Sequence, residues 1–240
     1  MANTEFSLTD QRPKVVGSFG GIGDLHQAEA LFVRDSCNLA EIRMDLMAQS
    51  CMGAESPPWR HLCDIPLLFT ARCAEEGGNG NLAAAARIAL LETALDDAAC
   101  MDIEVASIPE MGAMIETLRA RGIPWIASFH DFEKLPETSV LAAAASRAKA
   151  AGASVFKAAA RLHGPADLAR LAEFQLADHG IPAATMGMGP LAPVSRLLCA
   201  QCGSLLNYGY LGETPTAPGQ WDAGFLKQAI GRLTHYDLRH

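Results

Sequence analysis

Lys157 lies in Ala153-Ser-Val-Phe-Lys-Ala-Ala-Ala160, with no charged neighbour before Arg161. The chain has only five lysines (Lys14, Lys134, Lys149, Lys157 and Lys227), so one inside an apolar run stands out. An ammonium group is costly to bury, so the pKa of this lysine is expected to fall. A neutral amine can add to a carbonyl carbon and form a Schiff base. The same residue also fits a strand-end lysine that reaches solvent or pairs with an acid. His130, in Ala127-Ser-Phe-His-Asp-Phe132, could shuttle protons beside a Schiff base, or be fixed by structural hydrogen bonds. Glu76, in Arg72-Cys-Ala-Glu-Glu-Gly-Gly78, could orient a histidine and hold its tautomer; taken alone it reads as a solvated loop acid. Arg43, Arg72 and Arg196 carry forked donors that suit an anionic carboxylate. They would equally serve internal salt bridges, for instance Arg43 with Glu41 or with Asp102.

Other chemistries find little support. Cys199-Ala-Gln-Cys202 has the C-x-x-C spacing but no second pair or histidine cluster, so two thiols fit better than zinc. There is no G-x-S-x-G or H-E-x-x-H. Gly17-Ser-Phe-Gly-Gly-Ile-Gly23 does not match the dinucleotide fingerprint, and no phosphate-loop motif occurs. Thr216-Ala-Pro-Gly-Gln220 reads by itself as an ordinary loop. With 19 Lys+Arg against 27 Asp+Glu the formal net charge is −8, which argues against general binding to nucleic acid or anionic membranes. No run approaches 18 apolar residues, and the N-terminus lacks the basic and apolar regions of a secretory signal. A cytoplasmic address with seven reduced cysteines is the expectation.

These side chains need elements to hold them. β-rich runs occur at Val15–Phe19, Leu39–Leu46, Ile65–Arg72, Met101–Val105, Pro124–His130, Ser154–Ala158, Ile181–Met188 and Ser204–Tyr208. Helical periodicity fills Asn81–Ala99, Met111–Arg121, Ser139–Ala151, Pro165–His179 and Trp221–Leu233. Gly122, Gly152 and Gly180 are placed to close helices in the left-handed conformation. Half the chain is apolar, enough for a sizeable core. Eight alternating units in 240 residues predict an α/β fold, a single-domain (β/α)8 TIM barrel over 1–240, with 1–13 as a less ordered lead-in. Such barrels build their sites at the C-terminal strand ends. Residues two apart share a strand face, so Glu41, Arg43 and Asp45 align, as do Asp102 with Glu104 and Ser128 with His130. Arg72, His130 and Lys157 are expected to close the third, fifth and sixth strands.

Taken together, the motifs resemble type I 3-dehydroquinate dehydratases, over about Lys14 to Gln220. They are Glu41-Ile-Arg43-Met-Asp45, Phe69-Thr-Ala-Arg72 followed by Glu76-Gly-Gly78, Asp102-Ile-Glu104, Ser128-Phe-His130-Asp-Phe132, Phe156-Lys157-Ala158, Ser195-Arg196 and Ala217-Pro-Gly-Gln220. The resemblance implies a cofactor-free and metal-free barrel, usually dimeric. Its reaction is the syn dehydration of 3-dehydroquinate to 3-dehydroshikimate in the shikimate pathway. It further implies that Lys157 attacks the C3 ketone, that His130 shuttles protons and that Glu76 orients His130. Arg196 would grip the substrate carboxylate. Glu41, Arg43, Arg72 and Gln220 would hold hydroxyls and order the site, with Ser18 and Met186 as further wall positions. Thr216 stands where the family usually has Ser, and Tyr208 where it has Phe. The competing enzyme reading is another Schiff-base barrel such as an aldolase. That class acts largely on phosphorylated sugars, and Gly187-Met-Gly-Pro190 offers no clear anion nest. A non-catalytic barrel retained as a binding module is the third reading, against which the Lys/His/Glu set stands.

Overall fold

A computed structural model describes residue 8 and residues 12–52 and 56–233. The 1–13 lead-in expected from the sequence falls largely outside them. The described residues form eight strands: β1 Lys14–Phe19, β2 Leu39–Arg43, β3 Leu67–Thr70, β4 Ala98–Glu104, β5 Trp125–Asp131, β6 Val155–Arg161, β7 Ala183–Met188 and β8 Leu206–Leu211. All pairings are parallel, in the order β7-β6-β5-β4-β3-β2-β1-β8. The Leu205 N–H donates to the Ala183 carbonyl at 3.0 Å, which brings the start of β8 against β7 and nearly closes the ring. The expected (β/α)8 barrel is the fold that forms.

Both faces of every strand are covered, as parallel strands require. The outward set includes Ile42, Phe69, Met101, Ile103, Ala127, Phe156 and Ala158, in one core with helix residues such as Leu90, Leu118, Leu141 and Leu171. The inward set begins with Val16, Leu39, Leu68, Cys100, Ile126, Val155, Ala184 and Leu206, which plug the lower barrel. Two residues further along each of β1–β6, the same face turns polar: Ser18, Glu41, Thr70, Asp102, Ser128 and Lys157. The period of two therefore stacks an apolar floor beneath a polar mouth.

Several boundaries differ from the expected ones. The helix expected over Asn81–Ala99 stops at Glu92, and β4 begins at Ala98. Ala98 and Cys100 pair with β3, so tertiary pairing overrides the helical propensity of alanine. The same reason moves Lys157: Ala158–Ala160 pair with β5 and β7, so the strand runs on and Lys157 is its third residue, not its last. Arg72 lies two residues beyond the end of β3 rather than closing it. Gly122 and Gly152 take the left-handed conformation just after helices Gly112–Arg121 and Thr138–Ala150. Gly180 is left-handed too, but helix Pro165–Leu176 has already stopped, and the Gly180 N–H bonds the Asp178 side chain at 2.7 Å instead.

Candidate active site

All twelve residues singled out from the sequence line one cavity at the C-terminal mouth of the barrel. Six of the strands deliver side chains through the pleat: Ser18 from β1, Glu41 and Arg43 from β2, His130 from β5, Lys157 from β6, Met186 from β7 and Tyr208 from β8. Arg72 and Glu76 come from the segment after β3, and Thr216 and Gln220 from the loop after β8. Arg196 enters from helix Ala192–Gln201.

Lys157 is 3% exposed, so the reading of a lysine reaching solvent does not hold. Its Nζ donates to Asp102 Oδ2 at 2.9 Å and lies 4.3 Å above the centre of the Tyr208 ring. The other oxygen of Asp102 accepts from Ser128 Oγ (2.5 Å) and forms an ion pair with Arg72 Nη1 (2.9 Å), which itself donates to Ser128 Oγ (2.5 Å). Burial works against the charged form of Asp102, but the Arg72 and Lys157 cations outweigh it and hold the carboxyl well below the usual range. Arg72 Nη1 also reaches Glu104 Oε1 at 2.9 Å. Burial disfavours the guanidinium charge of Arg72, yet Asp102 and Glu104 together hold its pKa above the ordinary value.

His130 and Glu76 form a second unit. His130 Nδ1 stands 2.8 Å from Glu76 Oε2. Burial, then the nearby Arg72 and Lys157 cations, push the His130 pKa well down, so the imidazole is neutral at pH 7. Burial lifts the Glu76 carboxyl to about 7, despite the opposing pull of Arg72. When Glu76 is ionised it accepts the Nδ1 proton, which leaves His130 Nε2 as a base. The Glu76-Gly77-Gly78 sequence is required by the backbone here. Gly77 has φ +85°, and a Cβ there would stand 2.6 Å from the Phe132 ring. A Cβ on Gly78 would stand 2.1 Å from the Arg72 carbonyl oxygen.

The opposite wall differs. Arg196 is buried, donates from Nε to the Tyr208 carbonyl (2.9 Å) and from Nη1 to the Gly187 and Ala192 carbonyls (2.9 and 3.1 Å). Its Nη2 forms no hydrogen bond among the described residues, and none of their carboxylates pairs with it. Burial without an anion lowers its pKa to about 10. Gln220 Oε1 accepts from the Thr216 N–H and hydroxyl, both at 2.9 Å, which aims the loop at the cavity. Glu41 accepts from Ser18 Oγ and, at 2.7 Å, from Thr70 Oγ1.

One expected pairing is replaced. Arg43 bonds neither Glu41 nor Asp102; its Nε and Nη2 fork onto Asp45 at 2.9 and 2.8 Å. β2 ends at Arg43, and the turn that follows brings Asp45 back onto the guanidinium. Some cavity residues escaped the sequence reading. Met188 follows Met186 by two and shares its face, and Phe132 ends the His130 motif, so period and proximity could have found both. Arg87 lies behind the site, bonded to Glu104. It is the only charge in Leu82-Ala-Ala-Ala-Ala-Arg-Ile-Ala-Leu-Leu91, the same signal that drew attention to Lys157.

The family model described as Type I 3-dehydroquinase matches residues 24–237. The 3-dehydroquinate dehydratase of Bacillus licheniformis is 31% identical, with 97% of this chain and 96% of that protein covered. The 3-dehydroquinate dehydratase of Methanothrix thermoacetophila is 29% identical, with 93% of each covered. Among solved structures, the 3-dehydroquinate dehydratase of Geobacillus kaustophilus superposes with a TM-score of 0.81 at 24% identity, covering 94% of this chain and 93% of that one. That of Clostridium difficile gives a TM-score of 0.77 at 22% identity, with 92% and 91% covered. At these identities the two structures speak for the fold.

Proposed function

The chain belongs to the type I 3-dehydroquinase family, and from that premise we propose the following division of labour in its cavity. The reaction is the dehydration of 3-dehydroquinate to 3-dehydroshikimate and water, in the shikimate pathway. Lys157 is the nucleophile. Its Nζ adds to the C3 ketone, the carbinolamine loses water, and an iminium joins lysine to substrate. The iminium cation withdraws electrons and acidifies the proton on C2. His130 Nε2 takes that proton, giving an enamine, and returns a proton to the C1 hydroxyl as it leaves. Water then hydrolyses the conjugated iminium, releasing product and the free amine.

What supports this reading is the buried Lys157 amine and the Glu76-held His130 on adjacent strands, opening into one cavity. Asp102 holds the amine in place before attack, and Arg196, which lines the cavity with its Nε and Nη1 committed to backbone carbonyls, is the grip for the substrate carboxylate through Nη2. Ser18, Glu41, Arg43, Arg72, Thr216 and Gln220 hold hydroxyls and order the site, against the Met186 and Tyr208 walls.

The test is borohydride reduction in the presence of 3-dehydroquinate, followed by peptide mapping. The expected adduct is on Lys157; an adduct elsewhere, or none, overturns the mechanism. Lys157→Ala is expected to lower kcat on the order of 10⁴-fold or more, read as ultraviolet appearance of the enone product. We further propose that each chain is a single catalytic domain and that two chains form a cytoplasmic homodimer. Light scattering of the purified chain tests the assembly. No helix among the described residues is long and apolar enough to cross a membrane.

A further inference from the structure

Arg87 sits on helix Ala84–Glu92, outside the barrel wall and away from the cavity lining, yet it is 1% exposed. All three of its nitrogens are committed. Nε donates to the Ala71 carbonyl at 2.8 Å, Nη1 to Ser107 Oγ and Glu110 Oε1 at 3.1 Å each, and Nη2 to Glu104 Oε2. The other oxygen of Glu104 accepts from Arg72 Nη1 (2.9 Å) and from the Cys73 N–H (3.1 Å). The charges therefore alternate along one buried line: Arg87, Glu104, Arg72, Asp102, Lys157.

We propose that Arg87 is a positioning residue for the reaction proposed above, acting through Glu104 and Arg72 to keep Asp102 available to Lys157. Arg72 Nη1 is shared between two buried carboxylates, Asp102 and Glu104. Its two hydrogens are already directed at Glu104 Oε1 and Ser128 Oγ, and its one positive charge cannot neutralise both carboxylates if Glu104 has no other cation. Arg87 supplies that second cation and at the same time ties down Ala71, the residue before Arg72. Without it, a buried carboxylate oxygen loses its partner and draws Arg72 toward Glu104 and off Asp102. The consequence also reaches the His130–Glu76 unit. The charged groups that face it are Arg43, Arg72, Asp102, Glu104 and Lys157. An uncompensated negative charge at Glu104 favours the protonated forms of both His130 and Glu76.

The experiment compares wild type, Arg87→Met, Arg87→Lys, the double variant Arg87→Met/Glu104→Gln and the control Glu110→Gln in one 3-dehydroquinate assay across pH, alongside thermal unfolding. Arg87→Met is expected to lower kcat about 10- to 100-fold while KM stays within about threefold. Its ascending pH limb is expected to move to higher pH. Arg87→Lys keeps the cation, and its limb is expected to stay at the wild-type position. The double variant removes the uncompensated charge and is expected to bring the limb back. Glu110→Gln is expected to match wild type, because Glu110 is 53% exposed at its side chain and screened by solvent. Wild-type kcat and an unmoved limb in a folded Arg87→Met overturn the proposal. If Arg87→Met does not fold, an Arg87→Lys limb displaced from wild type overturns it, and one held in place supports it. Absence of turnover in wild type would instead overturn the reaction itself.

Discussion

The two sides of the cavity treat charge in opposite ways. On β4–β6 and the segment after β3, each buried cation has an anion: Arg72 with Asp102 and Glu104, Lys157 with Asp102, and Arg87 behind them with Glu104. On β7, β8 and the helix after β7, the wall is Met186, Met188 and Tyr208, and among the described residues Arg196 is held only by backbone carbonyls. A paired cation is a local framework whose charge is already spent on its neighbour. A buried guanidinium without an anion keeps its charge for whatever enters. The difference separates residues that set geometry from the one suited to grip a carboxylate.

Exchanging the two arginines for methionine is the sharpest way to break that comparison. Arg72→Met takes one of two cations from both Asp102 and Glu104, leaving Lys157 and Arg87 as their remaining partners, and is expected to cost about 3 kcal/mol of stability, read by urea unfolding. Arg196→Met strands no carboxylate. It is expected to raise KM for 3-dehydroquinate about 10- to 100-fold, the worth of a charge-assisted hydrogen bond. Equal effects on stability and KM for the two variants would erase the distinction between the walls.

Proton chemistry gives a smaller effect with a definite sign. Ionised Glu76 can only accept from His130 Nδ1–H, which keeps Nε2 as the base, whereas a protonated carboxyl can donate to Nδ1 and reverse the tautomer; burial lifts its pKa to about 7. The kcat/KM profile is therefore expected to rise as pH increases through about 7. Glu76→Gln keeps an acceptor but does not titrate, so that limb is expected to disappear. Linkage runs the other way. A carboxyl raised from 4.5 to about 7 on folding favours the native state while protonated, and stability from this group declines as pH climbs through that window. Glu76→Gln is thus expected to be the more stable protein at pH 8, by roughly 1–3 kcal/mol.

The smallest effect belongs to the apolar wall. The Tyr208 hydroxyl is buried and has no hydrogen-bond partner among the described residues, and burial foremost pushes its pKa well up. Leaving such a group unpaired costs on the order of 1–3 kcal/mol. Tyr208→Phe keeps the ring under the Lys157 amine and is expected to raise the melting temperature by a few degrees with little change in kcat. A loss of stability instead would place that hydroxyl among the paired groups.

Much of this was legible in the sequence because a barrel strand is read two residues at a time. Ser128 and His130, Asp102 and Glu104, or Glu41 and Arg43 fall on one face from spacing alone, and the apolar floor beneath them follows from the same period. Strand length was not legible. Ala98–Ala99 and Ala158–Ala160 carry helical propensity, and only pairing with β3, β5 and β7 makes them strand.

By itself, then, the sequence determined that this is an eight-unit barrel with a lysine, a histidine and several arginines converging on its mouth. Those are consequences of local pattern and residue type. Which charge meets which was decided only in three dimensions. Arg43 turned to Asp45, Lys157 to Asp102, and Arg87 reached through the wall to Glu104. Partner choice among several buried acids depends on side-chain reach and on competing cations, distances that only the closed barrel sets.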